Sequence, residues 1–190
     1  QAAARVPVSG EHADFVVASG FKWMNCIHGA AVLSISPRVL DRGIRGPAGW
    51  LSAESCYAED RLERFHPRQD AVRFQAGMPN FDSVYALAAA LDFHTPERVA
   101  ARRAELAPLM ERCWNGLKEL GQPLLTPETA ADRAGIVAIS CPESESAKRQ
   151  LAEQGVYVHG DDRRLRAAIH WYTTAEQIDH YLAALRGLTR

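Results

Sequence analysis

The stretch Asp14-Phe-Val-Val-Ala-Ser-Gly-Phe-Lys-Trp23 decides how this chain is read. A short apolar run ends in Ser19-Gly20, and Lys22 then stands between two aromatics, Phe21 and Trp23. Continuous apolar runs read as strands buried on both faces, and a Ser-Gly pair after one marks a sharp exit turn. A lysine at such a strand end is expected near the protein interior. Desolvation there favours the uncharged amine, a usable nucleophile of the kind that holds an aldehyde as a Schiff base. An isolated Gly-x-Lys fits a surface lysine after a loop equally well, so the decision rests on the surrounding sequence.

Working outward, Ala30–Ile35 is a second apolar run, closed by Ser36-Pro37. Residues 41–80 have weak periodicity and many Gly and Pro punctuators, and a loop of that length in a compact chain is usually functional. Phe81–Asp92 predicts a helix with Asn80 or Asp82 at its cap. Thr95-Pro96-Glu97 opens a second helix, with proline at its first position and an acidic first turn. Its apolar stripe is Leu106, Leu109, Met110, Cys113, Trp114, Leu117 and Leu120; Pro108 should kink it, and Gly121 stops it. Beyond it the pattern predicts strands at Gly135–Ser140, Val156–His159 and Leu165–Trp171. Helices are expected at Ser144–Gln154 and Ala175–Leu185. The expected organisation is a mixed α/β layer over residues 1–93 and a small α/β domain over residues 94–190.

Composition narrows the function classes. The 190 residues are 47% hydrophobic and 24% charged, an ordinary globular balance. With 22 basic and 23 acidic residues the net charge is −1, so no long-range field recruits nucleic acid or an anionic membrane. No apolar run approaches the ~20 residues of a membrane span. The four cysteines are widely separated and the seven histidines lack metal-ligand spacing. Reduced thiols, a cytoplasmic location and no metal site are therefore expected.

Four stretches in order carry a family likeness: Ser19-Gly-Phe-Lys-Trp23, Gly49-Trp50, Arg73-Phe-Gln-Ala-Gly-Met-Pro-Asn80, and Leu165-Arg166 with His170-Trp-Tyr-Thr-Thr-Ala-Glu176. Together they resemble the C-terminal half of a class V aminotransferase-family enzyme, the pyridoxal-phosphate fold type I group that includes cysteine desulfurases, selenocysteine lyase, isopenicillin N epimerase and kynureninase. The resemblance implies an α/β fold: the end of a mainly parallel large-domain sheet in residues 1–93, then a small C-terminal domain. It implies pyridoxal 5'-phosphate as cofactor and an amino acid as substrate.

By the same resemblance Lys22 is the Schiff-base lysine and the acid/base at the substrate Cα. Ser19 reaches the cofactor phosphate, and backbone N–H groups around Gly77 and Met78 lie near it. Gln1 would end an Asp-x-x-Gln motif that contacts the cofactor ring. Arg166 clamps the substrate α-carboxylate, and Trp50 lies on a loop that approaches the substrate. Read without the family, Arg166 beside Arg163 and Arg164 is an ordinary solvated charge run, Ser19 a turn cap, Trp50 a packing residue, and His28 and His170 satisfied structural histidines.

Two positions depart from the family pattern. Phe21 stands where the family has histidine, and Met78 where it has a phosphate-binding threonine. The segment Tyr157–Arg163 lacks the mobile cysteine of one desulfurase branch, which favours lyase, epimerase or aminotransferase chemistry over persulfide formation. Family members are about twice this length. The expected partners are therefore the N-terminal half, as a preceding segment or separate chain, and a second copy in a homodimer. The alternative expectation is a non-catalytic chain of the same fold that serves as a partner-binding or structural subunit.

Overall fold

The computed structural model describes residues 13–188. They form two compact units that divide between Thr95 and Pro96.

In the first unit, β1 (Phe15–Ser19) pairs antiparallel with β2 (Ala31–Ile35), Phe15 opposite Ile35 and Ser19 opposite Ala31. The expected burial of these strands is not met: Val17 is 71% exposed, and Phe15 and Leu33 are exposed too. A two-stranded ladder cannot bury both of its faces by itself, and among the described residues no third strand joins it. Its composition suits a strand covered on both sides; its surroundings here do not cover it.

A short helix α1 (Pro37–Asp41) follows, with proline at its start. The punctuated region after it is ordered by backbone hydrogen bonds rather than by long elements. Glu54 N–H donates to His66 O at 2.8 Å, Arg68 N–H to Ser52 O at 2.9 Å, and a 3-10 turn spans Ala71–Phe74. Helix α2 (Phe81–Phe93) begins where expected, with Asn80 as cap: its side-chain oxygen accepts from Ser83 N–H at 3.2 Å.

In the second unit, α3 (Pro96–Glu119) runs as one helix through Pro108 and ends before Gly121, whose φ of +67° lies in the left-handed region. Leu106, Met110, Cys113, Trp114 and Leu117 of its stripe are buried. Strands β3 (Ile136–Ser140), β4 (His159–Asp161) and β5 (Arg164–Ala168) form an antiparallel sheet in the order β3-β5-β4. Helices α4 (Ser144–Glu153) and α5 (Ala175–Leu188) complete the unit. The strand expected at Val156–His159 begins only at His159. Gly155 (φ +75°) and the buried Val156 serve instead to return the chain from α4, Val156 N–H donating to Leu151 O at 2.9 Å. The strand expected at Leu165–Trp171 ends at Ala168: Ile169 N–H still donates to Gly135 O at 2.8 Å, the next position in the β3 register, and the chain then turns, Thr173 N–H donating to His170 O at 2.9 Å.

Candidate active site

The turn after β1 is built around Gly20. Its N–H donates to Ala30 O at 3.1 Å and its carbonyl accepts from Cys26 N–H at 3.0 Å. A Cβ at this buried position would lie 3.2 Å from Ala30 O and from Cys26 Cβ, and 3.3 Å from a Leu87 methyl, so a side chain has little room. Two residues on, Lys22 O accepts from Asn25 N–H at 3.0 Å, and Asn25 takes the left-handed φ of +53°. Lys22 therefore projects from a closed, hydrogen-bonded loop.

The expectation of an interior lysine is corrected: Lys22 is exposed, because the ladder it leaves is uncovered. Its Nζ stands 5.4 Å from the centroid of the Phe21 ring, and it makes no ion pair among the described residues. Ser19, half-buried at the end of β1, has a hydroxyl with no hydrogen-bond partner among them either. An unpaired amine and an unengaged hydroxyl within three residues form a donor set suited to an aldehyde that also carries a phosphate.

The Gly77-Met78 segment and Trp50 share a second assembly. Gly49 lies against Ala76 so closely that a Cβ would sit 2.0 Å from Ala76 O, and its N–H donates to the buried Ser52 Oγ at 2.8 Å. Trp50 is 66% exposed, edge-to-face with Tyr57 at 6.2 Å between ring centroids. Gly77 faces open space and its carbonyl accepts from Gln75 Nε2 at 3.3 Å; Met78 is also exposed.

Sequence reading missed the role of Arg73, which anchors this assembly. It is 3% exposed, and its guanidinium donates to the carbonyls of Gln69 (2.9 Å), Leu40 (3.0 Å), Ile44 (3.4 Å) and Asp70 (3.4 Å). The clue was an arginine opening an otherwise apolar and small-residue segment. Helix α2 joins the segment to the lysine loop: Ser83 Oγ donates to His28 O at 2.7 Å, and His94 Nε2 bonds Met24 O at 3.2 Å.

In the second unit the arginine run resolves into three different roles. Arg163 (φ +58°) and Asp162 (φ +51°) make the left-handed turn between β4 and β5. Arg164 pairs with Asp162 at 2.7 Å. Arg166, opposite Ala138 and His159 in the sheet, alternates with the buried Leu165 and Ala167 and so projects from the outer face. It has no ion pair or hydrogen-bonded side-chain partner among the described residues. His28 and His170 lie in ring stacks, His28 on Phe21 at 4.2 Å and His170 on Tyr172 at 4.0 Å. Burial pushes the Cys141 thiol above its ordinary value, and all four cysteines are free. Among the described residues no group of three metal-capable side chains converges, and no helix is long and apolar enough to cross a membrane. Gln1 lies outside the described residues.

Known proteins resemble this chain in sequence and in fold. Kynureninase of Deinococcus radiodurans is 30% identical over 156 residues, which cover 80% of this chain and 38% of that protein. The apo structure of cysteine desulfurase from Thermococcus onnurineus NA1 superposes with a TM-score of 0.75 at 25% identity, over 93% of this chain and 47% of that one. A C-DES variant with glycine covalently linked to its pyridoxal-phosphate cofactor shares the fold, with a TM-score of 0.77 at 24% identity over 97% of this chain and 49% of that one. The α/β fold expected from the sequence is thus the fold of these enzymes, and the chain spans half or less of their lengths. Desulfurases stand among the similar proteins, so likeness alone gives no ground for setting persulfide chemistry aside. The profile of aminotransferase class-V matches residues 3–181, and the chain belongs to that family.

Proposed function

We propose that this chain supplies the cofactor-binding lysine and the carboxylate-binding arginine of a pyridoxal-phosphate enzyme that acts on an amino acid at Cα or Cβ. The observation that carries this reading is a pair of cations without ion-pair partners among the described residues. Lys22 and Arg166 stand without ion pairs among the described residues, while the neighbouring Arg164 is paired and the buried Arg73 is fully engaged by carbonyls. The side chains of Lys22 and Arg166 make no ion pair or hydrogen bond among the described residues, which leaves both for a ligand.

Pyridoxal phosphate, when bound, supplies an electron sink for negative charge at the substrate Cα. The Lys22 amine would hold it covalently and, once released, move a proton at that carbon. Ser19 would donate its hydroxyl to the phosphate, with backbone N–H groups at Gly77 and Met78 in support. Gln1 is assigned to the cofactor's ring oxygen. Arg166 would take the substrate carboxylate in a two-point grip, which a lysine cannot reproduce. Trp50, exposed on an anchored loop, is assigned to the substrate side chain.

Lyase, epimerase or aminotransferase chemistry is preferred over persulfide formation. The support is local: Tyr157–Arg163 contains no cysteine, and burial disfavours a thiolate at Cys141. The N-terminal half of the enzyme is assigned the aspartate facing the cofactor ring nitrogen. The working unit is a homodimer of complete enzymes, and a cytoplasmic location is in keeping with four free thiols. A second reading, a non-catalytic subunit of this fold, draws on Phe21 and Met78, which offer the phosphate no side-chain donor.

Borohydride reduction of the intact enzyme with pyridoxal phosphate, followed by peptide mass mapping, separates the two. A pyridoxyl adduct on Lys22 is the expected result; its absence with excess cofactor favours the non-catalytic subunit. An amino-acid panel scored for pyruvate and alanine then distinguishes the reaction types.

A further inference from the structure

Helix α2 and its C-cap hold the Lys22 loop at both ends, His94 Nε2 bonding Met24 O at 3.2 Å and, in the first turn, one hydroxyl reaching the His28 carbonyl. Ser83, fully buried in the first turn, has its N–H capped by Asn80 Oδ1 at 3.2 Å, and its carbonyl accepts from Cys26 Sγ at 3.7 Å. Its Oγ donates to His28 O at 2.7 Å, across 55 residues of sequence. Gly29 makes that contact feasible. Its φ of +104° suits glycine alone, and a Cβ there would lie 2.7 Å from the same hydroxyl.

His28 passes the constraint on. Its ring stacks on Phe21, with centroids 4.2 Å apart and planes 21° from parallel. Lys22 Nζ stands 5.4 Å from the centroid of that Phe21 ring. A lysine amine on a flexible four-carbon stem is placed only as well as the backbone from which it projects. A misplacement of about 1 Å is enough to slow a bond-forming step strongly.

We propose that Ser83 is a positioning residue for Lys22: its hydroxyl fixes the His28 carbonyl, and with it the His28–Phe21 stack beside the amine. This rests on the reading of Lys22 as the cofactor-binding lysine and adds what holds it in place. The hydroxyl holds the backbone of residue 28, and the His28 ring carries that constraint to Phe21. Ser83→Ala deletes one oxygen from an enclosed position, and Ser83→Cys keeps the volume with a poor donor.

Both variants and the parent are compared as intact enzyme by two measurements. The first is hydrogen exchange of the Asn25 and Cys26 amides without added cofactor; these amides close the loop onto Lys22 O and Gly20 O. The second is borohydride trapping on Lys22 across a series of pyridoxal phosphate concentrations. In Ser83→Ala the two amides should exchange about tenfold faster, and half-trapping should need about tenfold more cofactor, the scale of one lost buried hydrogen bond. Ser83→Cys should fall between, and it carries the comparison if Ser83→Ala does not fold. Protection in the later turns of α2 should be retained; a loss there equal to that in the loop would show a merely structural role and overturn the proposal. Unchanged loop exchange, or faster exchange with unchanged trapping, would overturn it as well. If the parent itself forms no adduct, the reading of Lys22 fails, and the exchange comparison alone decides whether Ser83 holds the loop.

Discussion

Replacing Arg73 by leucine would strand the carbonyls of Leu40, Ile44, Gln69 and Asp70, which now share one buried guanidinium. Hydrogen bonds to a charged donor are worth roughly 1.5–3 kcal/mol each, and bonds sharing one donor group do not add. Arg73→Leu should therefore cost about 3 kcal/mol in urea unfolding of the intact enzyme. Arg73→Lys should restore only part of this, because an ammonium cannot reach four carbonyls in two directions. At this scale the sequence offered candidates for chemistry and was poor about burial. It singled out Lys22 and Arg166 by their order in a known pattern. It could not show that Arg73, of the same residue type as Arg166, would turn inward, since that depends on carbonyls some thirty positions away.

Elements were legible where one helix period or one capping signal decided them. Asn80 and Gly121 mark their helix ends as their side chains, or lack of one, require. Strand limits were less legible. β4 and β5 are set by the two left-handed residues between them, Asp162 and Arg163, neither of which is a glycine that would announce a turn. Packing of α3 against α5 has a pH signature. Burial pushes the Cys113 thiol from 9.0 up to about 12, and the buried Tyr181 hydroxyl is raised as well. A raised folded value means the stability is fully present below pH 9.0 and declines as pH climbs toward about 12. At the acid end, the hydrogen-bonded Arg112 guanidinium holds the Asp179 carboxyl below its ordinary 3.8. That contribution is present above this value and lost as pH falls through the lower folded one. Urea midpoints of the intact enzyme across pH should fall at both ends. Cys113→Ala should flatten the first part of the alkaline fall, which has a limiting slope of about 1.4 kcal/mol per pH unit; an unchanged slope would remove the thiol from this account.

For the molecule as a whole, the apolar ladder explains why a correct fold class came with a wrong expectation of burial. The composition of Phe15–Ser19 and Ala31–Ile35 reads as doubly covered strand, yet Phe15, Val17, Val32 and Leu33 are exposed in the described residues. Exposed apolar faces of this kind mark surfaces that need a cover. These 190 residues expressed alone should bind a hydrophobic dye, associate, and fail to develop near-visible absorbance with pyridoxal phosphate. A monomeric, yellow, dye-silent preparation would contradict this. The division between Thr95 and Pro96 carries a separate consequence. The contacts that close the lysine loop, made by Gly20, Cys26, Ser83, Leu87 and His94, precede it, and Arg166 with its sheet follows it. Lysine and arginine can therefore be inherited as separate cassettes. Recombination at this junction would exchange Arg166 and its sheet while leaving the contacts named above for the Lys22 loop in place.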